Sequence, residues 1–248
     1  MIKLALLFQM PVSTKELLRD LSISCKNCSL GELCMPYGLA PSDIDKLDQS
    51  VSHTTLLQKG DTLYRQGKNF KSLFALKSGS VKITSLNQES SEDVMGIYLP
   101  GEIIGFDGLA TGQYQCTVHA IETSNVCEIN LSEIQNNIPG MSQQLLKHAG
   151  RAINHGRYAC SVAKVSARKR IISFLLDLSD RYRHRGYLAT EFELYLSRSE
   201  MGNLLNLSAE TISREIHKLE REKLISIINK RRIQINEMEQ LKSLLGEP

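Results

Sequence analysis

The spacing of apolar positions changes character along the chain. From residue 52 to about 135, short apolar runs alternate with turn residues, as in "HTTLLQKGDTLYRQG", "SLFALKSGSVKIT", "VMGIYLPGEIIG" and "TVHAIETSNVCEIN". The runs are rich in Val, Ile, Leu and Tyr, and Gly60, Gly67, Gly79 and Gly101 punctuate them. Short strands separated this regularly predict an antiparallel barrel or sandwich. The Ser78-Gly79 pair between "LFALK" and "SVKIT" predicts a hairpin turn, because glycine adopts positive φ at little cost. From 139 to 185 the punctuation stops and the period becomes helical. Two short helices and a β-rich tail follow from 186 to 248.

Within that last part, "SRSEMGNLLNLSAETISREIHKLEREKL" carries a helix-turn-helix pattern. Such a motif needs a small residue where two helices cross, a residue tolerant of left-handed φ in the turn, and an apolar anchor on the second helix. Gly202, Asn206 and Ile212 fill these roles in order. Ser208 is a natural N-cap, and Ile212, Ile216 and Leu219 mark a buried stripe. Glu210, Ser213 and Arg214 point away from that stripe, close to the helix N-terminus that enters a major groove. Arg suits guanine O6 and N7, Glu accepts from cytosine N4, and Ser adapts to either. The following "LISIINKRRIQINEM" predicts a β-hairpin wing with Lys230, Arg231 and Arg232 at its tip, placed for phosphate contact.

Between the strands and this module lies "MSQQLLKHAGRAINHGRYACSVAKVSARKRI". Leu146, Ala149, Ile153, Gly156, Cys160 and Ala163 follow steps of three and four, so they share one helical face. That face either packs on its own β-domain or pairs with a second copy, and pairing is the expectation. A seam of Ala, Gly and Cys buries little apolar area, so the dimer should be marginal and easily biased.

Charge agrees with this division. Residues 1–140 hold 11 Lys/Arg against 15 Asp/Glu, and residues 141–248 hold 19 against 12. The basic half is the one with the helix-turn-helix, which fits a polyanionic partner. The opening "MIKLALLFQM" imitates a signal peptide, but its apolar run is short and Lys15, Glu16, Arg19 and Asp20 follow without a cleavage pattern. No stretch approaches the roughly 20 apolar residues of a membrane span, so a cytoplasmic chain with no membrane partner is expected.

Three of the six cysteines, Cys25, Cys28 and Cys34, crowd into "SISCKNCSLGELCMPYG". Such a group suggests a thiolate-bound metal in need of a further partner. Zinc accepts four thiolates, but structural zinc sites usually pair two short knuckles, and only one is present. A thiol switch is a further option, whereas a disulfide framework does not suit a cytosolic DNA-binding chain. No histidine stands beside a cysteine in a nucleophile pattern and C-x-x-C precedes no βαβ unit, so an enzyme is not expected.

A glycine-punctuated β-roll, a long helix and a winged helix bearing E-x-x-S-R together resemble the CRP/FNR superfamily of bacterial transcription factors over nearly the whole chain. The resemblance implies an α+β fold: a cyclic-nucleotide-binding-like jelly roll, a long dimerisation helix and a C-terminal winged helix-turn-helix. The implied divisions are a cysteine-rich segment at 1–37, the β-roll at 38–138, the dimerisation helix at 139–166 and the DNA-binding domain at 167–248. In the cyclic-nucleotide branch an Arg-Ser pair after "GE" holds the phosphate. Here Gly101-Glu102 is kept but Tyr114-Gln115 falls where that pair belongs, so no cyclic nucleotide is expected.

The spacing C-x2-C-x5-C ahead of the roll, with "CSLGELCMPYGL", "LYRQG" and "GEIIGFD", instead resembles the FNR oxygen sensors, which carry a [4Fe-4S] cluster. The family takes its fourth ligand from a segment similar to "ETSNVCEI", which implies Cys127, with Cys116 as the rival in the same roll. Leu33 matches a position where the family uses an apolar side chain to limit oxygen access. The resemblance further implies a homodimer that binds double-stranded DNA without oxygen, on an inverted repeat like TTGAT-N4-ATCAA. Oxygen would convert the cluster to a [2Fe-2S] form and then to apoprotein, separating the dimer. RNA polymerase contacts would fall near Ser78-Gly79 and in the loop Asn87 to Asp93. Two departures stand out: His155 and Gly156 occupy a region where the best-known members carry an acidic residue, and no spare cysteine precedes Cys25. A regulator of the same superfamily that lacks the cluster, holding zinc or bare thiols or sensing nitric oxide, is the alternative.

Overall fold

The structure, a computed structural model, describes residues 25–86, 91–138, 140–162 and 165–246, leaving aside the side chains of 52–53, 135–136 and 154–162. Strands β1 (Val51–Leu57), β8 (Ser124–Ile129), β3 (Leu73–Ser78) and β6 (Ile103–Ile104) form one four-stranded sheet in that order. Strands β2 (Thr62–Tyr64), β7 (Thr117–Ala120), β4 (Val81–Leu86) and β5 (Glu92–Tyr98) form another. The pairings within both sheets are antiparallel.

Within the roll most consecutive strands change sheet, β4 and β5 being the exception, and this corrects one expectation. β3 and β4 do not pair, so Ser78-Gly79 is a corner between sheets and not a hairpin turn. Gly79 is needed there: its φ is +79°, and a Cβ would lie 2.4 Å from both Ser124 Oγ and the Thr123 carbonyl. A glycine at positive φ serves any tight reversal, and the turn pair alone does not say whether the strands meet edge to edge.

Strand alternation then builds two cores. Phe74, Leu76, Val81, Ile83, Val118 and Val126 pack with Tyr64 and Tyr114 into one cluster that draws on both sheets. The opposite parity of β3 and β8, Leu73, Ala75, Cys127 and Ile129, forms a separate cluster with Met35, Leu47, Ile134, Met141 and Leu145. These last residues come from the cysteine loop, from α1 (Pro41–Ser50) and α2 (Leu131–Asn137), and from the start of the long helix α3 (Met141–Val162).

A third cluster belongs mainly to the C-terminal part. Helix α4 (Ala167–Arg183) buries Ile171, Ile172, Leu175 and Leu178 against α5 (Arg198–Leu205), α6 (Ala209–Arg221) and α7 (Met238–Leu245), and Ile97, Leu99 and Ile121 of the β-roll join it. Strands β9 (Glu191–Glu193), β10 (Ile225–Ile228) and β11 (Arg232–Ile235) form a three-stranded sheet in the order β10-β11-β9. The tail read as β-rich ends in helix α7, held by the fully buried Leu241. The eight-residue α7 offers little helical period for a pattern reading to find. Among the described residues no helix is long and apolar enough to cross a membrane.

Candidate functional site

The helix-turn-helix forms as its residues require. A capping box starts α5, with the Ser197 hydroxyl accepting from the Glu200 amide and the Glu200 carboxylate accepting from the Ser197 amide. Asn206 ends the helix in the left-handed region at φ 52° and ψ 54°. A Cβ on Gly202 would lie 2.5 Å from the Leu207 carbonyl oxygen, so only glycine allows the turn to close over α5. Ser208 then caps α6 by accepting from the Thr211 amide at 3.1 Å. Ile212, Ile216 and Leu219 are buried, while Glu210 and Arg214 are exposed and Ser213 is half-buried on the first turns. Arg170 of α4 donates to the Leu205 and Asn206 carbonyls at 3.2 and 3.0 Å, tying the turn to the domain core.

The wing is a hairpin of β10 and β11 whose turn places Asn229 and Lys230 at positive φ, 50° and 65°. Lys230 and Arg231 sit at the tip. Arg232 does not: it is the first residue of β11 and pairs with Glu191 at 3.1 Å and Glu193 at 3.5 Å. Those acids lie on β9, which pairs with β11 only in the folded sheet. A run of three basic residues carries no sign of that partner.

The thiols come together at the other end of the β-roll. Cys25 opens a short 3-10 turn (Cys25–Asn27), and tight turns carry the loop on, with amides of Gly31 and Cys34 donating to the Cys28 and Leu30 carbonyls. Asp48 of α1 accepts from the Cys25 amide, and Lys26 pairs with Asp45, so the loop is fastened to α1. Cys127 projects from β8 toward this loop, beside Ala75 and Ile129 and with Cys25 and Cys34 against the same apolar cluster. The four cysteines are electrostatic neighbours: Cys34 and Cys127 act on Cys25, Cys28 and Cys127 on Cys34, and Cys28 on Cys127. None of the four is in a disulfide. Burial, followed by Asp48, pushes the Cys25 thiol well up, burial pushes Cys34 up to about 12, and burial pushes Cys127 up to about 11 despite Lys77. Among the described residues, no group of three or more His, Cys, Asp or Glu is placed to hold a metal ion.

Cys116 occupies a different environment. It precedes β7 and lies in the cluster that draws on both sheets, its thiol 3.1 Å from Asp107 Oδ2. Burial, followed by Asp107, pushes this thiol well above its usual range.

Helix α3 backs the cysteine loop. Met141, Gln144, Leu145 and His148 are buried on one face, and a Cβ on Gly38 would lie 3.0 Å from Gln144 Nε2. His148 hydrogen-bonds the main chain of Cys34, and burial followed by Arg151 pushes its imidazole down to about 4. The histidine is therefore neutral at pH 7. On the outer face Leu146 is 72% exposed and Ile153 61%, with Ala149 half-buried. The surroundings of Gly156, the side chain of Cys160 and the whole of Ala163 lie outside what the structure describes. Leu33 reaches the β-roll at Gly101, where a Cβ would lie 2.8 Å from its own. Sequence reasoning passed over Gln144 and His148, whose signal is a polar pair at helical spacing on an otherwise apolar face.

Residues 169–244 match the Crp-like helix-turn-helix domain, and residues 54–138 match the cyclic nucleotide-binding domain. The chain is 39% identical over 206 residues to the transcriptional activator protein anr of Pseudomonas aeruginosa, a match covering 82% of this chain and 84% of the relative. It is 33% identical over 231 residues to the fumarate and nitrate reduction regulatory protein of Yersinia pestis, covering 92% of each. Among solved structures, FixK2 from Bradyrhizobium japonicum shares the fold at a TM-score of 0.69 and 20% identity, covering 78% of this chain and 97% of that one. TTHA1359 of Thermus thermophilus, a transcriptional regulator of the CRP/FNR family, does so at 0.62 and 18%, covering 79% and 99%. With its jelly roll, long helix and helix-turn-helix in the same order as these proteins, the chain belongs to the CRP/FNR family as an FNR/Anr-type, DNA-binding transcription regulator.

Proposed function

We propose that this regulator senses oxygen through a [4Fe-4S] cluster held by Cys25, Cys28, Cys34 and Cys127. It acts as a homodimer without oxygen, on an inverted repeat like TTGAT-N4-ATCAA. The observation that carries the reading is that Cys25 and Cys34 of the loop and Cys127 of β8 meet in one apolar cluster, with Cys28 on the same loop and none of the four in a disulfide. Four cysteine thiolates are the donor set that an iron–sulfur cluster takes, as zinc also can. The donor set therefore fits the group. When bound, the cluster supplies an oxygen-labile cross-link between the loop and the β-roll.

The chain's own residues give that cross-link a consequence. The loop rests on the inner face of α3 through Met35, Met141, Leu145 and His148, while the outer face carries Leu146 and Ile153 toward a partner copy. Holding the loop holds the helix that would pair. Leu33, seated on Gly101 beside Cys34, limits access to the thiols. Two joined helix-turn-helix modules gain effective concentration over one, so a weak dimer equilibrium governs site occupancy.

Glu210, Ser213 and Arg214 read base edges, and Lys230 and Arg231 contact phosphate. RNA polymerase is met near the Ser78-Gly79 corner and the loop Asn87 to Asp93, of which 87–90 lie outside the described residues. Tyr114 supports the absence of a cyclic nucleotide: its buried ring stacks on Tyr64 at 3.8 Å between centroids and its hydroxyl donates to the Ser72 carbonyl at 2.7 Å.

Anaerobic purification, with iron, sulfide and DNA affinity measured before and after air, tests this reading. A dark protein that bleaches and releases DNA is expected, with Cys127→Ser abolishing iron retention and Cys116→Ser preserving it. A colourless, zinc-loaded protein whose DNA binding is unchanged by air would overturn it.

A further inference from the structure

The turn between β5 and β6 touches two distant parts of the molecule. Gly101, at φ +88°, lies against Leu33 of the cysteine loop. Its neighbour Glu102 meets the C-terminal end of α4 and the residues just after it. Arg181 donates to Glu102 from Nε at 3.1 Å and from Nη2 at 2.7 Å, and Arg185 donates from Nη2 at 2.6 Å. The Leu99 amide donates to the same carboxylate at 3.0 Å. Arg181 also donates to the Ile97 carbonyl at 2.8 Å and pairs with Asp177 at 3.3 Å, and Arg185 donates to the Pro100 carbonyl. The side chains of Glu102, Arg181 and Arg185 are only 15%, 12% and 5% exposed. Further along, Lys82 pairs with Glu200 at 2.5 Å and Asn203 donates to Asp93 at 2.7 Å, so α5 is fastened to the same sheet.

Apolar contacts between the β-roll and the DNA-binding part, through Ile97, Leu99 and Ile121, set proximity but little direction. A carboxylate gripped by two guanidinium forks sets an angle as well. We infer that Glu102, through Arg181 and Arg185, is a positioning residue for DNA recognition. It fixes the helix-turn-helix on its own β-roll, so that the two recognition helices of a dimer meet half-sites at one spacing. Its attachment to the turn that bears Gly101 gives the cysteine loop a route to the DNA-binding domain within one chain, separate from the α3 pairing face. The inference rests on the reading of a dimer on an inverted repeat.

The test uses the full chain prepared without oxygen, with Glu102→Gln and Arg185→Gln as variants. Affinity is measured on an isolated half-site, on the inverted repeat, and on repeats with the spacer one base pair shorter or longer. Both variants should keep wild-type half-site affinity, lose about tenfold or more on the full repeat, and discriminate less between spacers. Circular dichroism and thermal unfolding check each fold. If Glu102→Gln does not fold, Arg185→Gln, which retains the Arg181 pairs, carries the comparison. Variants that discriminate between spacers as sharply as the wild type would overturn the inference. A wild type with no spacing preference would overturn the inverted-repeat reading itself, and with it the role given to Glu102.

Discussion

Arg214 stands on the exposed side of α6 with its side chain 62% accessible and the buried Glu215 at 3.6 Å as an ion partner. The neighbouring Glu215 and Ile216 carry the packing, so Arg214 contributes little to the fold and is available to a base edge. Arg214→Ala should leave thermal stability unchanged, weaken specific binding by about 1–3 kcal/mol, and relax the preference for guanine. Competition among operators altered at single bases measures this; equal weakening on every sequence would make Arg214 a phosphate contact. Cys127 and Cys116 show a different residue-scale principle. Both are small, buried and eleven positions apart, so spacing alone does not separate them, although the family resemblance implies Cys127. Strand parity and sheet assignment separate them, one facing the cysteine loop and the other facing Asp107.

At the scale of elements, close approach matters more than propensity. The α5–α6 turn closes because Gly202 lacks a Cβ, and the obstacle is a backbone carbonyl that no side-chain rotation can relieve. Gly202→Ala should therefore destabilise the DNA-binding domain by about 1–3 kcal/mol, read as a lower thermal unfolding midpoint, although alanine is the better helix former. A midpoint at or above the wild type would show that the turn yields easily. Helix α3 is legible as amphipathic, yet it has two distinct faces. The stripe Leu146, Ala149 and Ile153 follows from the period, whereas the opposite stripe Gln144 and His148 has meaning only because the cysteine loop lies on it.

Across the whole molecule, Glu102 joins parts that are far apart in sequence. Burial alone would raise its carboxyl pKa, but Arg181 and Arg185, with the Leu99 amide, outweigh burial and hold it below the usual carboxylate range even with Tyr98 nearby. A carboxyl depressed in the folded state contributes stability above its unfolded pKa of about 4.3, and that contribution is lost as pH falls toward the folded value. Glu102→Gln should thus cost about 3–5 kcal/mol at pH 7, because the buried Arg185 loses its carboxylate and Arg181 keeps only Asp177. The gap from wild type in urea unfolding should narrow as pH drops below about 4. A gap independent of pH would mean that the glutamine disrupts packing and not charge.

The order of the elements, the glycine-bearing turns, the capped recognition helix with its outward Glu210 and Arg214, and the loop of three cysteines were all set by local pattern. Each depends on residues within a few turns of one another, where periodicity and φ preference act directly. Which strands pair, which parity of β8 faces the loop, why Arg232 leaves the wing tip, and what Glu102 holds were decided by tertiary structure. These depend on partners brought from dozens of residues away, and a turn residue or a charged side chain carries no mark of the surface it will meet.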